Sequence, residues 1–155
     1  ECGTSSYYSA IRDATDEPVL QEVAGRIAAD EFRHYRLFFE TLNAQPEADL
    51  PLWKKLYLAF TRVKESDDDE LAYAYYCANV STADTARIPY DRAHYARAYN
   101  ATAMALYRRH HIKKLVQMVA KACGLTAQSR LTNLASTVLW HALRLRAGSR
   151  GLSNA

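Results

Sequence analysis

The stretch that decides the fold is Val23-Ala24-Gly25-Arg26-Ile27-Ala28-Ala29-Asp30-Glu31-Phe32-Arg33-His34-Tyr35, in which an apolar run leads into a charged segment. On an α-helix, residues three apart lie on one face about a turn apart, so Glu31 and His34 project together. A carboxylate and an imidazole with this spacing can share one metal ion. The competing interpretation is a pair of side chains on an exposed helix face that binds nothing. The stretch therefore predicts a helix and indicates a ligand pair or a solvated surface.

The residues upstream favour the metal-binding interpretation. Glu1 lies about thirty residues before Glu31, and a polar turn over residues 13–18 separates them. In an antiparallel hairpin that pivots near Asp16, Glu1 and Glu31 come out at about the same height. We therefore expect Glu1, Glu31 and His34 to lie together.

A family resemblance is carried by the series Glu1, Tyr8, Thr15-Asp16-Glu17-Pro18-Val19-Leu20, Ile27 and Asp30-Glu31-Phe32-Arg33-His34. This series resembles the first helical hairpin of the ferritin-like superfamily and is most similar to the acyl-carrier-protein desaturase and rubrerythrin branches. The resemblance covers residues 1–44. It implies an antiparallel four-helix bundle in which two helices each give a Glu and the other two each give a Glu-x-x-His pair. It also implies two iron or manganese ions and an oxidoreductase that uses dioxygen or peroxide, with a small-molecule or acyl substrate.

The second half of such a site fits the sequence less well. The segment 106–111 stands where the second Glu-x-x-His belongs. Aligned on its Arg-His pair, Tyr107 replaces the bridging Glu and His110 supplies the imidazole. Aligned on the apolar stripe around Ile112, His111 faces inward and Arg108 replaces the Glu. Neither alignment supplies a carboxylate, although a phenolate can bind ferric iron, whereas an arginine would repel a second cation.

The Glu ligand expected from the third helix is Glu70 or Glu65, and we prefer Glu70 because a helical stretch follows it.

Because the second half of the site lacks a carboxylate at segment 106–111, two functions stay open. The first function is a di-iron or di-manganese oxidoreductase. The second is a non-catalytic helical bundle that has lost the second half-site and acts through an interface. A homodimer formed through the aromatic face of Trp53, Tyr57 and Phe60 is compatible with either.

Composition bounds the class of protein. With 155 residues, the chain is expected to form one domain over 1–155 with a real core. Only 5 Gly and 4 Pro interrupt a composition rich in Ala, Leu and Arg, which favours helix. A net charge of +3 gives no reason to expect nucleic acid, and the lack of a run of 18 apolar residues argues against a membrane span.

The cysteines and the first residue bear on location. Three cysteines without a Cys-x-x-Cys spacing indicate a reduced, cytoplasmic setting. The sequence opens on Glu1 rather than Met, so we expect that an N-terminal segment is missing.

Apolar periodicity predicts an all-α chain, and the resemblance implies a ferritin-like antiparallel four-helix bundle with an additional C-terminal helix. Thr15 or Asp16 should cap the second helix and Gly124 should end the fourth. The second helix carries one stripe of Leu20, Val23, Ile27, Phe38 and Leu42, and the last helix carries the stripe Leu131, Leu134, Val138, Ala142 and Leu145. The predicted helices cover about 1–14, 18–42, 51 onwards with a possible fresh start at 69–80, 90–122 and 127–146.

Overall fold

The computed structural model describes residues 1–45, 50–62 and 69–151, with the side chains of Arg62 and of 146–151 left aside. Within these ranges the chain is all α-helical and contains no strand. The all-α class is therefore confirmed, whereas the four-helix bundle stays a prediction. None of the helices in these ranges combines the length and apolar character needed to cross a membrane. The helices are α1 (Cys2–Ala14), α2 (Pro18–Asn43), α3 (Leu52–Arg62), α4 (Asp69–Asn79), α5 (Arg92–Leu106), α6 (Arg109–Ala122) and α7 (Arg130–Gly151).

The first two helices form an antiparallel hairpin. Pro18 occupies the first turn of α2, where its missing N–H costs nothing. Glu17 caps this helix by accepting hydrogen bonds from the backbone N–H groups of Val19 and Leu20, so the expected cap at Thr15 or Asp16 is wrong. Glu17 can do this because its longer side chain folds back over the turn.

Small side chains let α1 and α2 approach closely. Ser5, Ser9 and Ala10 on α1 and Ala24 and Ala28 on α2 are buried. The Ser5 hydroxyl donates to the Ala28 carbonyl oxygen at 3.0 Å, which satisfies a polar group inside this contact. Four members of the apolar stripe of α2 lie outside this contact and are exposed: Leu20, Val23, Phe38 and Leu42.

The predicted fourth helix is two helices. Tyr107 and Arg108 adopt extended backbone conformations, and α6 begins at Arg109. Neither Gly nor Pro marks this break; it is held by a hydrogen bond from the Arg108 backbone N–H to Nδ1 of His111 at 3.0 Å. Gly124 follows the end of α6 with a φ of 82°, so the expected stop is confirmed.

Helix α6 lies against both members of the hairpin. The Ser6 hydroxyl donates to the His111 carbonyl at 3.3 Å, and the Tyr35 hydroxyl donates to the Met118 carbonyl at 2.9 Å. The ammonium groups of Lys114 and Lys121 stand over the rings of two α2 phenylalanines, Phe32 and Phe39, at 5.4 and 4.8 Å. These contacts fix α6 antiparallel to α1 and parallel to α2.

Helices α4 and α5 form a second hairpin around tyrosines. Tyr73, Tyr76, Tyr90 and Tyr95 pack with ring centroids 4.9–6.1 Å apart. The Tyr76 hydroxyl donates to the Ile88 carbonyl at 2.8 Å, and the Tyr90 hydroxyl donates to the Asp69 carboxylate at 2.6 Å. Two of the four tyrosine hydroxyls in this cluster thus have hydrogen-bond partners, as is usual for tyrosines that pack inside a protein.

Candidate metal centre

The candidate site lies where α1 begins and the middle of α2 passes it. Glu1 immediately precedes α1, whereas Glu31 and His34 stand one turn apart on α2. The hairpin register that pairs Ser5 with Ala28 also brings Glu1 level with the Glu31–His34 turn. One ligand atom from each of the three residues lies within 4.8 Å of the other two. The structure therefore brings together the three residues that the sequence singles out.

The distances leave room for an ion between the side chains. Nδ1 of His34 lies 3.8 Å from Oε2 of Glu1 and 4.0 Å from Oε2 of Glu31. Ligand atoms around a six-coordinate divalent cation are about 3 Å apart when each bond is about 2.1 Å. Rotation of the half-exposed Glu1 and exposed His34 side chains would supply the remaining distance of about 1 Å.

The electrostatics of the pair of carboxyl groups suit a cation. The hydrogen bond between the two carboxyl groups raises the pKa of Glu31, and it lowers the pKa of Glu1. This divergence arises because two neighbouring carboxylates repel each other when both are ionised, so Glu31 ionises at a higher pH than Glu1. Within the described part of the chain, no lysine or arginine side chain forms an ion pair with either group. A divalent cation between the two carboxylates would relieve this repulsion by neutralising both charges.

The residues expected in the second half of the site lie elsewhere. His110 and His111 stand beside Asp13 at the far end of α1. Asp13 is twelve residues from Glu1, which corresponds to about 18 Å along a helix axis. His110 and His111 therefore do not belong to the same cluster as Glu1.

Tyr107 and Glu70 are also placed apart from the cluster. Tyr107 stacks on Tyr7 in the middle of α1, with ring centroids 6.3 Å apart. Burial raises the pKa of Tyr107 to about 12, so its hydroxyl is a neutral phenol at neutral pH rather than a phenolate ligand. Glu70 lies in the first turn of α4, a helix whose main contact is α5. The other candidate, Glu65, lies outside the described residues.

A second cluster, which the sequence did not reveal, consists of Asp13, His110 and His111. Oδ2 of Asp13 lies 2.9 Å from Nε2 of His111 and 3.1 Å from Nε2 of His110, while Oδ1 accepts from Arg12. These hydrogen bonds, of which that from His111 is the strongest, hold the pKa of Asp13 well below its usual range against the opposing effect of burial. Spacing gives no signal for this cluster, because only the packing of α6 on α1 creates it.

The tautomer of His111 makes this second cluster a poor metal site. Nδ1 of His111 accepts the Arg108 backbone N–H, so the proton of the neutral ring is on Nε2 and is donated to Asp13. A metal on Nε2 would move that proton to Nδ1, where it would face another N–H donor. Burial also lowers the pKa of His111, which is 2 % exposed, and keeps the ring neutral. The cluster therefore fits a structural role that ties the start of α6 to the end of α1.

Comparisons with known proteins add no further constraint on either cluster. No protein family, no curated protein and no solved structure matches the chain. The functional assignment therefore rests on the geometry of the described residues and on coordination chemistry.

Proposed function

We propose that the chain is a helical metal-carboxylate protein that binds one divalent cation, iron or manganese, through Glu1, Glu31 and His34. The observation that supports it is the convergence of two carboxyl groups and an imidazole, with one ligand atom from each residue within 4.8 Å of the other two. Hard carboxylate oxygens with one imidazole nitrogen form a ligand set that suits iron and manganese. The ferritin-like, four-helix origin of this site, inferred from residues 1–44, is part of the proposal.

One ion fits the described residues better than two. The cluster offers three ligands, and none of Glu70, Tyr107, His110 and His111 lies in it. Three protein ligands leave about three positions of a six-coordinate ion open to water, dioxygen or a substrate. When bound, such an ion would supply redox or Lewis-acid chemistry. The role of Glu1 and Glu31 would be to neutralise the cation, and that of His34 would be to fix one end of the site.

Metal content of purified variants tests the proposal. The wild-type chain, loaded anaerobically with ferrous iron or with manganese and then desalted, should retain about one ion per chain. Glu31→Gln and His34→Ala should each lose it, because either change removes one of three ligands. Glu22→Gln is the matched control, since Glu22 lies on α2 but pairs with Arg26 at 2.6 Å and is outside the cluster.

The possible results separate the alternatives clearly. Two ions per chain would overturn the single-ion site and restore a dinuclear centre with further ligands. No retained ion in the wild-type chain would reject metal binding. Equal metal in wild type and Glu31→Gln would reject this site in particular.

A second candidate function is a binding module without metal, and the exposed aromatic face of α3 favours it. Trp53, Tyr57 and Phe60 are 65, 62 and 70 % exposed. Large contiguous apolar surfaces are uncommon on monomeric soluble proteins and mark interaction sites. A chain that binds no metal but associates through Trp53, Tyr57 and Phe60 would satisfy this alternative. A Trp53→Ser variant that leaves association unchanged would exclude it.

A further inference from the structure

The backbone between α5 and α6 is held by one side chain. Tyr107 and Arg108, which we call the joint, leave the helical conformation with ψ angles of 137° and 163°. The Arg108 N–H then points to Nδ1 of His111 and donates to it at 3.0 Å. The joint contains neither Gly nor Pro, so no fixed backbone preference imposes the break. Its extended conformation therefore depends on the acceptor that His111 supplies.

Only one protonation state of His111 can satisfy both of its hydrogen bonds. The ring is 2 % exposed, with Nδ1 accepting from Arg108 and Nε2 donating to Asp13 at 2.9 Å. A neutral ring with its proton on Nε2 makes both bonds. A protonated ring carries N–H groups at both positions, so its Nδ1–H would face the Arg108 N–H. Protonation thus removes the bond that holds the joint and keeps the bond to Asp13.

The charged groups around the ring decide which of the two bonds is lost on acidification. From α1, the Asp13 carboxylate faces Nε2, and Arg12 pairs with its other oxygen at 2.7 Å. From α6 itself, His110 shares the first oxygen at 3.1 Å. Against the effect of burial, these hydrogen bonds hold the pKa of Asp13 well below its usual range. The carboxylate is therefore ionised wherever histidines titrate, and it attracts the protonated ring.

The remaining neighbours of the ring favour its neutral form. Burial lowers the pKa of His111 most, the bond to Asp13 raises it, and the nearby His110 and Arg108 lower it further. The Tyr107 ring meets the His111 ring edge to face at 6.1 Å, and burial raises the pKa of Tyr107 to about 12. Tyr107 is therefore uncharged in this range. Among these groups, Asp13 alone draws a proton to His111.

The joint helps to place the α4–α5 hairpin on the rest of the protein. The Tyr107 ring stacks on Tyr7 of α1, with centroids 6.3 Å apart, and contacts the His111 ring on α6. Apart from α4, the main helix contacts of α5 are with α1 and α7. Release of the joint would remove Tyr107 from this position and loosen one attachment of the hairpin.

We propose that protonation of His111 opens the joint by releasing the Arg108 N–H, while Asp13 keeps α6 attached to α1. The result is a folded acid form in which the α4–α5 hairpin is held less firmly. Because burial favours the neutral ring, the transition should lie below the ordinary histidine value of about 6.5. Glu1 precedes α1 and Asp13 lies near its other end, so metal content and opening of the joint can be measured separately.

Amide hydrogen exchange, followed by NMR between about pH 7.5 and about pH 4.5, tests the proposal. After correction for the intrinsic rate, protection of the Arg108 amide should fall about tenfold as the His111 ring is protonated, because one hydrogen bond is lost. The ¹⁵N shifts of the His111 ring report its protonation directly. Nuclear Overhauser contacts between the Tyr107 and Tyr7 rings should weaken over the same range, while the amides within α1 and α2 keep their protection.

His111→Gln separates the hydrogen bond from the titration. Glutamine at the third position of a helix can accept the N–H of the N-cap residue, and it cannot be protonated. The Arg108 amide of this variant should stay protected over the whole range. His110→Gln is the matched control, since His110 titrates and shares Asp13 but does not accept from Arg108, and it should keep the transition. Asp13→Asn should move the transition to lower pH by removing the charge that attracts the protonated ring.

Four results would overturn the proposal. These are a His111 ring that stays neutral down to about pH 4.5, a ring that is protonated while the Arg108 amide keeps its protection, a transition in His111→Gln equal to that of wild type, and simultaneous loss of protection throughout α1 and α2. The last would show unfolding of the whole chain rather than opening of the joint. If His111→Gln lacks the circular dichroism spectrum of wild type, the ring and amide titrations of the wild-type chain decide by themselves.

Discussion

Removal of the Asp13 carboxylate should destabilise the fold without affecting the Glu1–Glu31–His34 cluster. Asp13 is the acceptor for Nε2 of His111, whose side chain is 2 % exposed and has its other nitrogen engaged by the Arg108 N–H. In Asp13→Ala the Nε2 proton would be buried without an acceptor. Such an unsatisfied donor costs about 1–3 kcal/mol.

The other partners of Asp13 add less. The side chains of Arg12 and His110 are 44 and 61 % exposed, so solvent screens their attraction to the carboxylate, and each pair contributes about 0–1 kcal/mol. The sum gives about 1–5 kcal/mol of lost stability for Asp13→Ala, most of it from the unsatisfied His111 donor. For a chain of this length that corresponds to a fall in Tm of about 2–20 °C.

The measurement is urea denaturation followed by circular dichroism, with Asp16→Ala as the matched control. Asp16 is exposed in the same turn, and its removal should change stability by less than about 0.5 kcal/mol. Equal stabilities of Asp13→Ala and Asp16→Ala would refute the structural role of the carboxylate. A large loss of bound metal in Asp13→Ala would refute the separation of the two clusters.

The pH dependence of stability gives an independent check with a definite sign. The folded state lowers the pKa of Asp13, so its stabilising effect is present above the unfolded value of about 4 and is lost as pH falls below it. The folded state also lowers the pKa of His111, so acidification below about 6.5 protonates the unfolded chain first and reduces stability. Asp13→Ala should keep the second loss and show a smaller first one. Superimposable pH profiles for wild type and Asp13→Ala would contradict this assignment.

Three further predictions concern the site and the helix ends. Because contact with Glu1 raises the pKa of Glu31, protons should displace the metal from Glu31 at a higher pH than from an ordinary carboxylate. Glu1→Gln removes one carboxylate ligand and should weaken binding at every pH measured by isothermal titration. Gly124→Ala should cost about 1 kcal/mol in urea denaturation, because the φ of Gly124 is 82°. Gly3→Ala should instead stabilise α1 by about 0.5–1 kcal/mol, because the added methyl group meets nothing within 4 Å. Equal effects of the two substitutions would disprove the turn assignment at Gly124. Glu17→Ala should cost about 1 kcal/mol by removing the cap of α2, while Thr15→Ala should cost less; the reverse order would restore Thr15 as the cap.

Much of the helical structure and the core of the candidate site could be read from local patterns. Glu31 and His34 share a face because helical geometry depends only on spacing along the chain. The turn before Pro18 and the stop at Gly124 follow from the conformational limits of single residues, and both are present. The meeting of Glu1 with Glu31 required one further assumption, an antiparallel hairpin, which the short turn makes nearly obligatory.

Which face of each helix is buried could not be read in the same way. The apolar stripe of α2 is largely exposed, whereas the small residues Ala24 and Ala28 are buried, and the Ser5 hydroxyl of α1 hydrogen-bonds the Ala28 carbonyl oxygen there. The break at Tyr107 and Arg108 has no Gly or Pro to announce it, and it depends on His111 accepting the Arg108 N–H.

The sequence by itself therefore determined the helical class, most helix ends and the Glu31–His34 pair, because these depend on local sterics and spacing. Only the tertiary structure decided that His110 and His111 join Asp13 rather than Glu1, and that the leucines of α7 face outward. The first outcome depends on a contact between residues about a hundred positions apart, Asp13 and His111. The second depends on which faces of the helices pack against one another in the folded chain. No pattern within a single helix contains that information.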